Sequence, residues 1–418
     1  MAQRPLAAYL AVTASYWAFM LTDGALRMLV LLHFHIMGFS PVQLAYLFVL
    51  YEIAGVLTNL CAGWIAKRFG LVSTLYAGLG LQIVALISLS ALDPGCNMWA
   101  SVAFVMAVQG LSGVAKDLSK MSSKAAVKLL APDEGGALFR WVALLTGSKN
   151  AVKGLGFLIG ALLLGRYGFE MAVIGMALVL SVVLAAVLIF MPSGLPRGMK
   201  GAKFTEVWSK DRRINQLSAA RLFLFGARDV WFVVGIPVYF YAVLSDGSGA
   251  GDRAAFFAIG SFMAVWIMLY GAVQACAPMI VRAKGRPLAE IMIRACRWVA
   301  ALTMVPAALS MLVAFAQGHP SWLTFALVAG LLIFGFVFAV NSALHSYLIL
   351  ALTGPERVTF DVGFYYMANA AGRLCGTVLS GLSYQLGGLS ACLATAAVFC
   401  GLSWVMAGKL EQTIIARK

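Results

Sequence analysis

The sequence predicts an all-α membrane protein of about twelve transmembrane helices in two six-helix halves, and three observations predict it. Of its 418 residues, 62% are hydrophobic and 11% charged, and the mean hydropathy is +0.91. A soluble globular chain averages about 45–50% apolar and about 25% charged. No water-facing surface can be built from this composition, so the solvent is lipid. Apolar runs of roughly 20 residues, the length that crosses a bilayer, recur along the whole chain. One segment, 192–215, breaks the pattern with Pro196, Arg197, Lys200, Lys203, Lys210, Arg212 and Arg213. It divides the chain into an N-terminal half, 1–191, a basic linker, 192–215, and a C-terminal half, 216–418.

The spans follow in order. The first, 7–32, has only Arg4 ahead of it and no small-residue cleavage site, so it reads as a retained helix; it carries Asp23 and Arg27. The second, 41–65, carries Glu52. The third is 72–91, and the fourth, 99–127, holds Lys116, Asp117, Lys120 and Lys124. The fifth, 141–165, has Lys149, Asn150 and Lys153, and the sixth is 169–191. In the second half, 216–243 carries Arg221, Arg228 and Asp229, and 254–281 and 290–316 follow. Asn341 and His345 share a face of 321–352, Asn369 and Arg373 lie in 361–386, and 388–408 is the last span. The seven cysteines form no CxxC or Cys/His cluster, so neither a disulfide framework nor a zinc site is supported; no metal and no cofactor are expected.

Lysine and arginine concentrate in alternate loops: Lys67/Arg68, Lys128/Arg140, the linker, Arg282/Lys284/Arg286 and Arg357 on one side, against Arg166 and Arg253 on the other. Positive loops stay in the cytoplasm, so both termini are expected there, in a bacterial inner membrane. The loop after the second span, Ala62-Gly63-Trp64-Ile65-Ala66-Lys67-Arg68-Phe69-Gly70, also has a counterpart after the eighth, Ala277 to Gly285; the first alanine, a basic residue and the final glycine coincide. Six plus six helices with a repeated loop resembles the major facilitator superfamily, whose halves pack around a midplane site. Gly63, Arg68 and Gly70 match that superfamily's Gly-x-x-x-Asp-Arg-x-Gly loop, and Lys67 replaces its acidic residue.

Charges at membrane depth cost about 2.5–3.5 kcal/mol each on insertion scales and mark a pathway or a partner. Here their spacing puts them on single helix faces. Lys116, Lys120 and Lys124 repeat every four residues, as do Lys149 and Lys153, and Asp23 and Arg27; Arg221 and Arg228 lie two turns apart. Nine basic groups face four acidic ones, Asp23, Glu52, Asp117 and Asp229, so a shared cavity would be strongly positive and would take an anion. The four acids are candidates for charge pairing or proton coupling. Some positions have bland readings as well. Lys124 can snorkel to the interface, Asp23 and Arg27 can form a structural pair, Glu52 can partner a lysine, and His345 can be a satisfied interior histidine. Tyr365 and Tyr366 read as packing residues. Arginine's planar fork fits tetrahedral oxyanions and lysine supplies a point charge, so the mixture suits phosphate-like groups.

Four stretches, Tyr16 to Arg27, Lys116 to Ser122, Arg140 to Asn150 and Leu224 to Phe232, resemble the organoarsenical efflux permeases (ArsJ) of the major facilitator superfamily. The resemblance spans both halves and is less distinct in the C-terminal third. It implies export of 1-arseno-3-phosphoglycerate, which a partner glyceraldehyde-3-phosphate dehydrogenase makes from arsenate. It also implies a substrate with a tetrahedral oxyanion at each end. The expected ligands are Arg27, Lys116, Lys120, Lys149, Asn150, Lys153, Arg221, Arg228, His345, Asn369 and Arg373. The nearest rival is an organophosphate:phosphate exchanger of the same fold. A membrane-embedded enzyme would need an acidic metal cluster, a nucleophile beside a base or a phosphate-cradling glycine loop, and the sequence has none. A receptor has no reason to bury this charge. Nucleic-acid binding is not expected, because topology explains the basic loops. The chain is expected to act as a monomer.

Overall fold

The computed structural model describes residues 3–92, 97–130, 137–191, 208–281, 287–316, 318, 320–353 and 358–416. Most of the basic linker (192–207), Arg282, Lys284, Arg286 and Arg357 lie outside the described residues, as do the side chains of Lys67, Lys124, Lys128 and Arg140. In lipid every backbone polar group must be satisfied within the chain, and helices do this locally. The described elements are accordingly helices: α1 (Gln3–Ile36), α2 (Pro41–Tyr46), α3 (Val49–Phe69), α4 (Leu71–Ser90), α5 (Met98–Leu130), α6 (Ala137–Phe190), α7 (Arg212–Val230), α8 (Ile236–Leu244), α9 (Gly249–Val281), α10 (Leu288–Phe315), α11 (Ser321–Leu352) and α12 (Val358–Ile415).

Among the described residues, ten helical stretches are long and apolar enough to cross a membrane. Two of them are double spans. The 54 residues of α6 and the 58 of α12 would each exceed about 80 Å as one rod, far beyond a hydrocarbon core of about 30 Å. α6 turns back at Gly168 (φ 76°) and α12 at Gly388 (φ 61°), left-handed conformations that glycine adopts without a Cβ penalty. With these two reversals the described residues hold twelve spans, and the breaks fall where the sequence separates 141–165 from 169–191 and 361–386 from 388–408.

Two spans are irregular. The second is α2 followed by α3, with Ser40 capping α2 through a capping box with Gln43. The seventh is α7 and α8 joined by a π-helical turn, Trp231–Gly235. The wider turn is held from the side, since Val234 N–H and Gly235 N–H both donate to Ser380 Oγ of α12, at 3.1 and 3.2 Å. Trp231, Trp266, Phe232, Phe334 and Phe338 pack around this turn as an aromatic core.

α1 packs along α6, and α7 along α12, within their respective halves. Across the halves, α3 meets α12 and α6 meets α9. The C-terminal end of α1 touches α8, where His35 lies edge-on to Tyr241 at 4.9 Å. This frame brings α1, α3, α5, α6, α7, α11 and α12 around one interior.

Candidate functional site

The charges of the described cluster sit on helix faces turned inward. Asp23 on α1 accepts from Tyr51 Oη at 2.5 Å and from Lys153 Nζ of α6 at 2.6 Å. Arg27, one turn further along α1, reaches Glu52 of α3 at 3.5 Å. The Asp23–Arg27 pair that their spacing allows is not formed, and both residues pair across to neighbouring helices. Arg27 lies over the rings of Phe48 (5.1 Å) and Tyr51 (5.6 Å), which hold its guanidinium toward α3.

Glu52 takes two arginines rather than a lysine: Arg27 from its own half and Arg373 Nη2 from α12. On α5, Asp117 accepts from Lys120 Nζ at 2.9 Å and from Thr58 Oγ1 at 3.0 Å. Lys120 also donates to Asn59 Oδ1 at 2.6 Å and lies over the Tyr366 ring at 5.2 Å. Lys116 stands 3.9 Å from Asp117 Oδ2 and 3.9 Å from the centre of the Tyr51 ring, and its buried Nζ has no hydrogen-bond partner. Gly55 lies beneath both Asp117 and Arg373: a Cβ there would sit 3.4 Å from one and 3.6 Å from the other.

In the C-terminal half, Arg228 clasps its neighbour Asp229 at 2.5 Å and lies over Phe225, Phe232 and Phe338. Arg221 makes no ion pair among the described residues. Its Nε donates to Asn369 Oδ1 (2.9 Å), and its Nη1 donates to Ser342 O (2.9 Å) and Oγ (3.1 Å). The guanidinium lies over Phe225 at 4.0 Å and Tyr365 at 5.1 Å. Asn369 thus serves Arg221 rather than Arg373, its neighbour one turn away. Asn150 reaches Gln274 of α9 at 3.5 Å, and Lys149 is partly buried beside it. His345 and Asn341 are fully buried on α11.

The burial is lopsided. Glu52, Asp117, Asp229 and Asp23 have side chains 0–2% exposed, while their partners Lys116, Arg228, Arg27, Lys153, Arg373 and Lys120 keep 8–18%. The carboxylates lie behind and the cations in front. With Arg221, seven described cations from both halves stand against four carboxylates. A buried ion pair contributes little net stability, because desolvation offsets the attraction. A cluster with surplus cations contributes less still, and it is suited to holding an anion.

The sequence does not reveal the neutral frame. Tyr51, Thr58, Asn59, Tyr270, Gln274 and Ser342 join the charges, and Tyr365 and Tyr366 stack on cations rather than merely fill space. One signal was available: Asn59 lies two helical turns beyond Glu52 and so shares its face.

Solved structures share this architecture over nearly the whole chain. A POT family transporter in complex with 5-aminolevulinic acid matches with a TM-score of 0.73 at 14% identity, covering 96% of each chain. The fold is the major facilitator fold. A mutant of the nucleoside transporter NupG matches at 0.67 and 16%, covering 96% of this chain and 98% of that one. A bacterial homologue of the iron transporter ferroportin in an inward-facing state matches at 0.69 and 13%, covering 97% and 99%. No protein-family model and no curated protein matches the sequence.

Proposed function

We propose that this chain is a membrane transporter that exports a small, multiply charged organic oxyanion. One observation carries the reading: cations from both halves line one interior in front of buried carboxylates, in excess over them. Arg27, Lys116, Lys120, Lys149 and Lys153 would engage the ligand from the first half, and Arg221, Arg228 and Arg373 from the second. The shared transporter fold supports the same reading, because its solved examples carry small molecules. No catalytic role is proposed for any residue.

Within this class the resemblance to the organoarsenical permeases favours 1-arseno-3-phosphoglycerate as substrate, and arsenate resistance as the outcome. The protein would sit in a bacterial inner membrane with both termini cytoplasmic, acting as a monomer beside a glyceraldehyde-3-phosphate dehydrogenase. Export of an anion from a negative interior is electrically downhill by about 2.3 kcal/mol per charge per 100 mV, so no coupling ion is required by charge.

The test is arsenic accumulation in an arsenate-sensitive strain expressing the chain with and without the dehydrogenase. Lowered accumulation and resistance only with both proteins support the reading. Unchanged accumulation with both well expressed refutes the arsenical. The cations themselves favour a second reading equally, since phosphate and arsenate esters present the same tetrahedral oxyanion. Exchange of labelled phosphate across vesicles would identify an organophosphate:phosphate exchanger.

A further inference from the structure

The basic cluster accounts for the charge of a ligand and says nothing about its carbon skeleton. A second group of polar side chains addresses that. At about 100° per residue, Phe338, Asn341, Ser342 and His345 fall within about a 100° arc of α11. That arc faces α7 and α9. Ser342 accepts from Arg221, Phe338 lies 5.7 Å from the Arg228 guanidinium, and Tyr270 Oη and Gln274 Nε2 both reach Ser342 Oγ at 3.2 Å.

Within this group several polar atoms are unanswered. Asn341 and His345 are both 0% exposed, yet Asn341 Oδ1 and both ring nitrogens of His345 have no hydrogen-bond partner. Asn341 is held in place because its Nδ2 donates to Val337 O at 3.0 Å, so the oxygen is the atom left over. Arg221 uses Nε and Nη1 on Asn369 and Ser342, and its Nη2 donors have no acceptor among the described residues. Asn341 Oδ1 and the His345 nitrogens are buried, Arg221 Nη2 is not among the buried unpartnered atoms, and each buried polar group without a partner costs about 1–3 kcal/mol, so the Asn341 and His345 atoms point to a ligand.

The unanswered atoms are of mixed kind. Arg221 Nη2 donates, Asn341 Oδ1 accepts, and a neutral imidazole does one at each nitrogen. A fully ionised phosphate or arsenate offers acceptors only, and would face Asn341 Oδ1 acceptor to acceptor. A hydroxyl is one donor and two acceptors, and answers both kinds at once. We propose that the Arg221–Asn341–His345 cluster is a subsite for a carbon-bound hydroxyl, so that the ligand is a hydroxylated organic oxyanion and not an inorganic one. Its ionised head sits on the basic cluster and its hydroxyl on the α11 arc. This rests on the anion reading above and narrows it.

The test compares glycerol 3-phosphate with propyl phosphate on the purified full-length protein by calorimetric titration. The two share charge and chain length and differ in their hydroxyls. Glycerol 3-phosphate is expected to bind at least about tenfold more tightly. In Asn341→Leu and in His345→Phe the advantage, taken as the ratio of the two affinities within each variant, should fall to within about twofold, while an unfolding transition in detergent like the parent's reports an intact fold. Equal affinity for both esters in the parent protein overturns the hydroxyl subsite and leaves the anion reading standing. Binding of neither overturns the anion reading, and this one with it. A preference that survives in both variants overturns the assignment to α11.

Discussion

Replacing Glu52 with glutamine should tighten anion binding while weakening the unliganded fold. Glu52 is fully buried and serves two arginines, Arg27 at 3.5 Å and Arg373 from the other half. At an effective dielectric near 20, a pair at that separation attracts by about 5 kcal/mol before desolvation. Breaking a buried pair commonly costs about 3–5 kcal/mol, because a charge is left uncompensated. Here both arginines keep 16–17% exposure to the interior, and with screening allowed for, about 1.5–3 kcal/mol is the better figure. An oxyanion that engages Arg27 and Arg373 must compete with the Glu52 carboxylate for them. Removing the competitor should return a similar free energy to the ligand, about ten- to hundredfold in affinity. The assay is thermal unfolding of Glu52→Gln and the parent with and without glycerol 3-phosphate, paired with titration. Lower stability that the anion restores, with a tighter Kd, is expected. A weaker Kd in the variant, or a stability loss that no anion restores, would show that Glu52 organises the cations rather than competing for them.

Three further outcomes follow from the geometry. Lys116→Met keeps the shape of a side chain whose Nζ has no hydrogen bond; anion affinity should fall about tenfold or more while the melting temperature holds or rises, since a desolvated charge is removed. A clear drop in melting temperature would mark Lys116 as structural. Asp229→Asn frees Arg228 from its 2.5 Å partner and should slow transport in vesicles; parental flux would remove Asp229 from the mechanism. Gly156→Ala places a Cβ against Leu21 O and 3.1 Å from Ala25 N where α1 and α6 touch, so it should destabilise the protein by about 1–3 kcal/mol by overpacking, read as a lowered unfolding temperature in detergent.

The set of charged residues was legible in the sequence because helix rise and period are geometric: a cation near the centre of an apolar run must turn inward. The two long helices were legible as four spans for a similar reason, since no rod of 54 residues fits a bilayer. Partners were less legible. Asp23 and Arg27 are one turn apart and could have met, yet each has a better partner on another helix, and only the tertiary arrangement that brings side chains of α3 and α6 to them decides that. Asn369 stands one turn from Arg373 and instead holds Arg221, for the same reason. The aromatic faces of Tyr51, Phe225 and Tyr365 under the cations were invisible, because aromatic residues fill apolar helices everywhere. The π turn at Trp231–Gly235 has no local signature either; it depends on Ser380, nearly 150 residues away.

The central claim is that the cation-lined interior carries an organic oxyanion, and uptake by proteoliposomes tests it most directly. Labelled 3-phosphoglycerate, a stable ester with one phosphate head, should enter vesicles containing the parent protein in a saturable way. Uptake should fall to the level of empty vesicles with Lys116→Met and Arg373→Met. Uptake by the parent no greater than that of empty vesicles, or undiminished in both variants, would contradict the account.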